Sequence, residues 1–168
     1  MTSSHETLHF TRTIGAPLDR VWEAYVDIDA RSRWSVPAGE HIVYDSADFT
    51  SGGADTFRCG PPGHLDNAGT CLYHLVEPRR RFLYTDTVYR DGELMAVALL
   101  SWGLEAIGES TRVTVVDQVT SLVGPGMIEG HRNGYNKTLD QLATYLITQR
   151  PQSSTSVDRR IRSAHQDT

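Results

Sequence analysis

Near the end of the strand-rich part of the chain, an aspartate stands among valines. Val113, Val115 and Val119 recur at a spacing of two, and Asp117 falls on their face. A face of that kind turns toward a core, and a carboxylate there needs a hydrogen-bonding or charged partner. His131 and Arg132 follow on the next helical pattern and could supply one. An acid beside an imidazole can hold or move a proton, so Asp117 and His131 are the candidate catalytic pair, with the catalytic residues otherwise unknown. Arg132 is the third polar candidate. Trp34, Phe57, Tyr73, Tyr84, Trp102 and Tyr135 would form the apolar lining around them. A blander arrangement stands beside this one. Asp117 could sit at a bulge and face water, His131 could be a packed rim residue, Arg132 could snorkel, and the aromatics could be plain core.

Other chemistries lack their signatures. Cys59, His64, Asp66 and Cys71 are close in sequence, but their spacing matches no common zinc site, and no metal is expected. The segment from Gly124 to Gly130 has one residue too many for a dinucleotide loop and follows an antiparallel strand, so no cofactor is expected either. There is no Gly-x-Ser-x-Gly elbow, and neither cysteine lies in a nucleophile motif. The Arg79–Arg81 run at a strand start reads as a solvated corner.

Composition narrows the setting. With 168 residues, one domain is the natural expectation, here 1–148, followed by a polar tail over 149–168 expected to be disordered. A net charge of −5 argues against nucleic acid as a partner. The longest apolar run, Met95 to Leu100, is far short of a membrane span, and the polar N-terminus is no signal peptide. The expected location is the cytoplasm, where Cys59 and Cys71 would be thiols, although a hairpin could bring them face to face. A homodimer is left open.

The elements that position these residues follow from periodicity. Leu8, Phe10 and Ile14 share one face of a first strand, with Arg12 the exception. Pro17 opens a short helix in which Leu18, Val21, Trp22 and Tyr25 recur at helical spacing, and a second helical turn runs from Asp29 to Trp34. Strands are expected over 41–49, 54–59, 70–77, 81–89, 94–106 and 111–120, with 60–69 a loop and Asp91-Gly92 a tight hairpin turn. A long helix, 127–148, closes the domain. Its stripe is Ile128, Tyr135, Leu139, Leu142 and Leu146, with Lys137, Asp140, Gln141 and Thr144 opposite. The expectation is an α+β helix-grip fold: a seven-stranded curved antiparallel sheet wrapped around a long C-terminal helix, with two short helices between strands 1 and 2. Where a curved sheet leaves a straight helix, a gap opens that a ligand can fill.

Specific words in the chain carry a resemblance. Thr11-Arg12-Thr13-Ile14 with Ala16-Pro17, Val21-Trp22, Arg33-Trp34, Gly52-Gly53, Gly69-Thr70, Val76-Glu77-Pro78, Thr111 to Val115, and Gly134-Tyr135 with Leu139 to Leu142 appear in order. In this the chain resembles the SRPBCC superfamily, START-like and birch-pollen-allergen-like, and within it the branch named for the C-terminal domain of the heat-shock chaperone ATPase activator. That branch commonly has Trp where Tyr135 stands, and the polar 60–69 loop leaves lid contacts open. The resemblance implies an internal cavity and, as partner, a small apolar or amphipathic molecule. It orders the functions as ligand binding first, a cyclase or aromatase acting on a polyketide-type substrate second, and a co-chaperone interaction module third. The third ranks last because the chain is expected to lack the additional N-terminal domain of those activators.

Overall fold

A computed structural model describes residues 3–149; the tail expected over 149–168 lies outside the described residues except for Gln149. The chain runs β1 (Ser4–Ile14), α1 (Leu18–Val26), α2 (Ile28–Trp34), β2 (His41–Ser46), β3 (Ala54–Gly60), β4 (Asn67–Glu77), β5 (Arg81–Arg90), β6 (Glu93–Ile107), β7 (Ser110–Ser121) and α3 (Gly126–Thr148). The strands form one seven-stranded antiparallel sheet in the order β1-β7-β6-β5-β4-β3-β2. Hairpin succession from β2 to β7, with β1 closing against β7, is the expected helix-grip architecture.

Local chemistry sets the joints. Asp91 and Gly92 both take positive φ, 51° and 80°, which a two-residue primed turn requires. The Asp27 side chain accepts the backbone N–H groups of Asp29 and Ala30 and starts α2 directly after α1. Along β1 the alternation buries Leu8, Phe10 and Ile14. Arg12, on the same parity, escapes at the edge by bonding Asp140 and Asn136 of α3 at 2.9 and 3.0 Å. A bulge in β4 between Tyr73 and Leu75 changes parity, so that Tyr73 faces Tyr84 and Val76, not Leu75, faces Phe82.

Two boundaries differ by three residues from the sequence-based expectation, the others given there by no more than one. β2 ends at Ser46, three residues early: its ladder with β3 passes a bulge at Tyr44/Ser46 and closes at the Ser46–Thr56 pair, after which Asp48 donates its backbone N–H to the Asp55 carboxylate. β4 begins at Asn67, inside the segment expected to be loop, because Asn67 and Ala68 pair with both neighbouring strands. On α3, Ile128, Leu139, Leu142 and Leu146 are buried as expected. Gln141 is not on the solvent side. Its amide donates to the carbonyls of Trp34 and Val36, capping the end of α2 that α3 packs against.

The backbone of α3 lies close to β1, β7, α1 and α2, while β3, β4 and β5 stand off from it. Part of the interval is filled by rings. Phe82 stacks on Trp102 at 5.4 Å between centroids, and Tyr25 packs against both Phe82 and Trp102. The rest is open.

Candidate functional site

The open part is a cavity of about 290 Å³ between the inner face of β2–β5, the end of α2 and the first half of α3. Trp34, Phe57, Tyr73, Tyr84, Trp102, His131 and Tyr135 all line it. Exposed Ala68 and half-exposed Glu40 and Asn67 mark its mouth.

One end is acidic. Asp117 is fully buried and lies between Leu8 of β1 and Leu100 of β6 in the sheet register, so it is not the water-facing residue of the blander arrangement. Its Oδ2 lies 2.8 Å from Nδ1 of His131 on α3, and its Oδ1 has no protein partner. His131 therefore stands between Asp117 and the cavity. Burial works against the imidazolium, yet the Asp117 hydrogen bond and the charges of Asp117 and Asp86 outweigh it, and the His131 pKa is raised. Asp86, the third member, lies on β5 two residues beyond Tyr84 and also faces the cavity. Burial pushes its carboxyl up to about 6, against the pull of His131 and with the push of Asp117. The Cys71 thiol lies 3.8 Å from its Oδ1. Among the described residues no three His, Cys, Asp or Glu side chains converge to hold an ion.

The other end holds a buried cation. Arg31 of α2 is 3% exposed and Asp55 of β3 is 1% exposed, and Nη2 donates to Oδ2 at 2.8 Å. The Arg31 Nη1 also donates to the Tyr73 hydroxyl, which itself donates to Asp55 at 2.6 Å. The guanidinium lies 4.8 and 4.9 Å from the ring centroids of Tyr25 and Tyr44, which adds cation–π attraction. Only its Nε lacks a partner.

Between the ends runs a tyrosine wall. The Tyr73 and Tyr84 rings are 5.6 Å apart, and the Tyr84 and Tyr135 hydroxyls are 3.1 Å apart. Burial raises the pKa of Tyr84 and of Tyr135 well above the ordinary phenol, so both remain protonated. Burial also pushes Cys59 up to about 11 and raises Cys71, which leaves both as weak nucleophiles. The two thiols are free and do not face each other, since Cys59 pairs with Asn67 and Cys71 with Asp55 in the β3–β4 register. Phe57 reaches the wall by lying across Gly69, where a β-carbon would meet its ring at 2.2 Å.

Arg132 is away from all this. It sits outside the cavity lining and pairs with Glu6 at 2.6 Å and Glu129 at 3.2 Å on an exposed surface. Its angle on the helix is near the apolar stripe, but its long stem carries the charge past β1 to water. Among the wall residues not drawn from the sequence as site candidates are Arg31, Asp55 and Asp86. Extending two strand faces by one step would have found the acids, because Asp55 shares parity with Phe57 and Asp86 with Tyr84. Arg31 lies three residues before Trp34 on a seven-residue helix, too short for periodicity to single out a face.

A curved sheet gripping one long helix over an aromatic cavity is the helix-grip arrangement of the SRPBCC superfamily. More narrowly, residues 15–147 match the family described as Activator of Hsp90 ATPase homolog 1-like protein, and the chain belongs to that family. Solved structures agree on the fold. An uncharacterised protein from Rhizobium leguminosarum is 25% identical with a TM-score of 0.79, covering 88% of this chain and 97% of that one. Protein Mll3558 from Rhizobium loti is 24% identical with a TM-score of 0.75, covering 87% and 100%. DynU16, from the dynemicin biosynthetic locus, is 26% identical with a TM-score of 0.64, and the match covers 84% of this chain but 47% of that one. No curated protein matches the sequence significantly. No helix among the described residues is long and apolar enough to cross a membrane.

Proposed function

We propose that the protein binds a small, largely apolar molecule in the cavity between sheet and α3. The observation that carries this reading is the cavity itself, about 290 Å³ walled by aromatic side chains together with aliphatic and polar ones. Burying about 300 Å² of apolar guest surface contributes roughly 7 kcal/mol at ~25 cal/mol/Å². Loss of guest freedom takes at least ~4 kcal/mol of that. The remainder is small, so fit and one or two hydrogen bonds decide which guest is held. Mass spectrometry of small molecules extracted from the purified protein tests the reading. A stoichiometric apolar compound is the expected result, with a rise in Tm when it is added back. An interior that admits no apolar compound in any screen overturns it.

A cyclase-like enzyme is the second reading, favoured by one observation. Asp117, His131 and Asp86 form a proton-holding group at the cavity wall, beside two tyrosines that stay protonated. His131 would accept a proton from an acidic C–H of the guest and return it to an oxygen, while Asp117 holds the imidazole in place. The neighbour DynU16, from a biosynthetic locus, is consistent with it. Its sign is turnover whose pH dependence disappears in His131→Phe. A co-chaperone role, raised by the family's name, ranks third because the unusual polar groups face the interior; stimulation of a chaperone ATPase would promote it.

A further inference from the structure

The charges on the cavity wall do not cancel, and the remainder selects a guest. Among the lining residues Arg31 is the one permanent cation, and Asp55 neutralises it at 2.8 Å. His131 is the other basic group there, and it is bonded to Asp117, which is not itself on the wall. Asp86 and Glu40 are left over, and neither pairs with a cation among the described residues. The wall is therefore acidic whether or not the imidazole is protonated, and it has no uncommitted cation to receive an anion.

Asp86 stands among groups that line the cavity. In the sheet it lies between Cys71 of β4 and Ala98 of β6. Its contacts are the Cys71 thiol, 3.8 Å from Oδ1, and the Thr87 backbone. Its charge bears on His131, Tyr84 and Tyr135, all three of them lining residues. The Arg31 cluster shows how this protein holds a cation: a carboxylate oxygen at 2.8 Å, a tyrosine hydroxyl at 3.0 Å and two tyrosine rings at 4.8 and 4.9 Å. Asp86, with Tyr84 and Tyr135 beside it, brings together the same kinds of group without the cation. A carboxylate withdrawn from water and left unpaired is unfavourable, and a positively charged N–H donor relieves it best. Tyrosine rings add attraction for the same charge. Half-exposed Glu40 at the mouth favours the approach of a cation over that of an anion.

We infer that the cavity takes a protonated primary or secondary amine carried on an apolar body, its ammonium group donating to the Asp86 carboxylate, and that it turns away carboxylates of the same shape. This rests on the binding reading above and adds the guest's charge and the residue that receives it.

A set of naphthalenes differing at a single substituent tests it, each titrated calorimetrically against the whole protein at pH 7.5. The members are 2-methylnaphthalene, 2-naphthylmethanol, 2-naphthylmethylamine and 2-naphthoate. The amine should bind about tenfold tighter than the alcohol, and the carboxylate most weakly of the set. Asp86→Asn, checked for folding by circular dichroism, should erase most of the amine's advantage and leave the methyl compound's affinity where it was. The ranking in the wild-type protein decides the matter should that variant fail to fold. If the alcohol matches the amine, if the carboxylate leads, or if the amine's advantage survives in folded Asp86→Asn, the amine site is wrong while cavity binding stands. If no member of the set binds, both readings fall together.

Discussion

The two polar clusters beside the cavity each set a basic side chain against carboxylates, in opposite balance. At the Arg31 end, one cation meets one carboxylate, and a tyrosine hydroxyl bonds both members. Charge balances and all but one guanidinium nitrogen is used. At the His131 end, two carboxylates share one imidazole, and one carboxylate oxygen has no partner. The first cluster joins α2 to β3 and β4 and holds the wall in shape. The second has protons to gain or lose near neutrality. Burial is common to both clusters; the ratio of acids to cations is what differs.

The largest test of this contrast is to break the balanced end. Asp55→Leu leaves Arg31 buried without its counter-charge, which should cost about 3–5 kcal/mol. At roughly 2–4 °C per kcal/mol for a chain of this size, a thermal melt should fall by on the order of 10 °C. A drop of a degree or two would show that the pair is not what fixes α2.

Next comes the pH response of the unbalanced end. Asp86 has a folded pKa of about 6 against an ordinary 3.8, and His131 is raised above 6.5. Both folded values lie above the unfolded ones, so each group's contribution is fully present below its unfolded pKa and is lost as pH rises through its folded value. Stability should therefore decline from about pH 4 through neutrality, with Asp86 accounting for at most about 3 kcal/mol. Asp86→Asn should flatten the slope below pH 6 in denaturant titrations across pH. An unchanged slope would mean that Asp86 titrates normally.

A smaller effect is expected from His131→Phe, which removes the donor from a buried carboxylate and should cost about 1.5–3 kcal/mol at pH 7. Adding Asp117→Leu to it should recover part of the loss, and additivity of the two changes would deny that they form a unit. Least affected is Arg132→Ala, whose partners Glu6 and Glu129 are exposed. Tm and guest retention should both stay where they are.

Much of the fold can be read from local pattern. The valine alternation of β7, the Asp91-Gly92 turn and the stripe from Ile128 to Leu146 each have one physical explanation, and the structure follows all three. The departures arise where a tertiary partner decides. Gln141 faces the α2 carbonyls because that helix end needs donors, which no periodicity in α3 reveals. Arg132 swings out because β1 brings Glu6 beside it. The site divides the same way. Six aromatics and the acid on an apolar strand stand out by type and parity. Arg31 does not, because its partners Asp55 and Tyr73 are 24 and 42 residues away and meet it only once the sheet has curled.

The shallow seat beneath Phe57 has a consequence for how relatives of this chain could diverge. Because residue 69 has no side chain, the Phe57 ring comes closer to the β4 backbone than any β-carbon there would allow. A methyl group there would tilt the ring inward and shrink the room available to a guest without touching any polar group. On the proposed binding reading, the room in the chamber would thus change with residue 69 while the polar groups on its wall stay as they are.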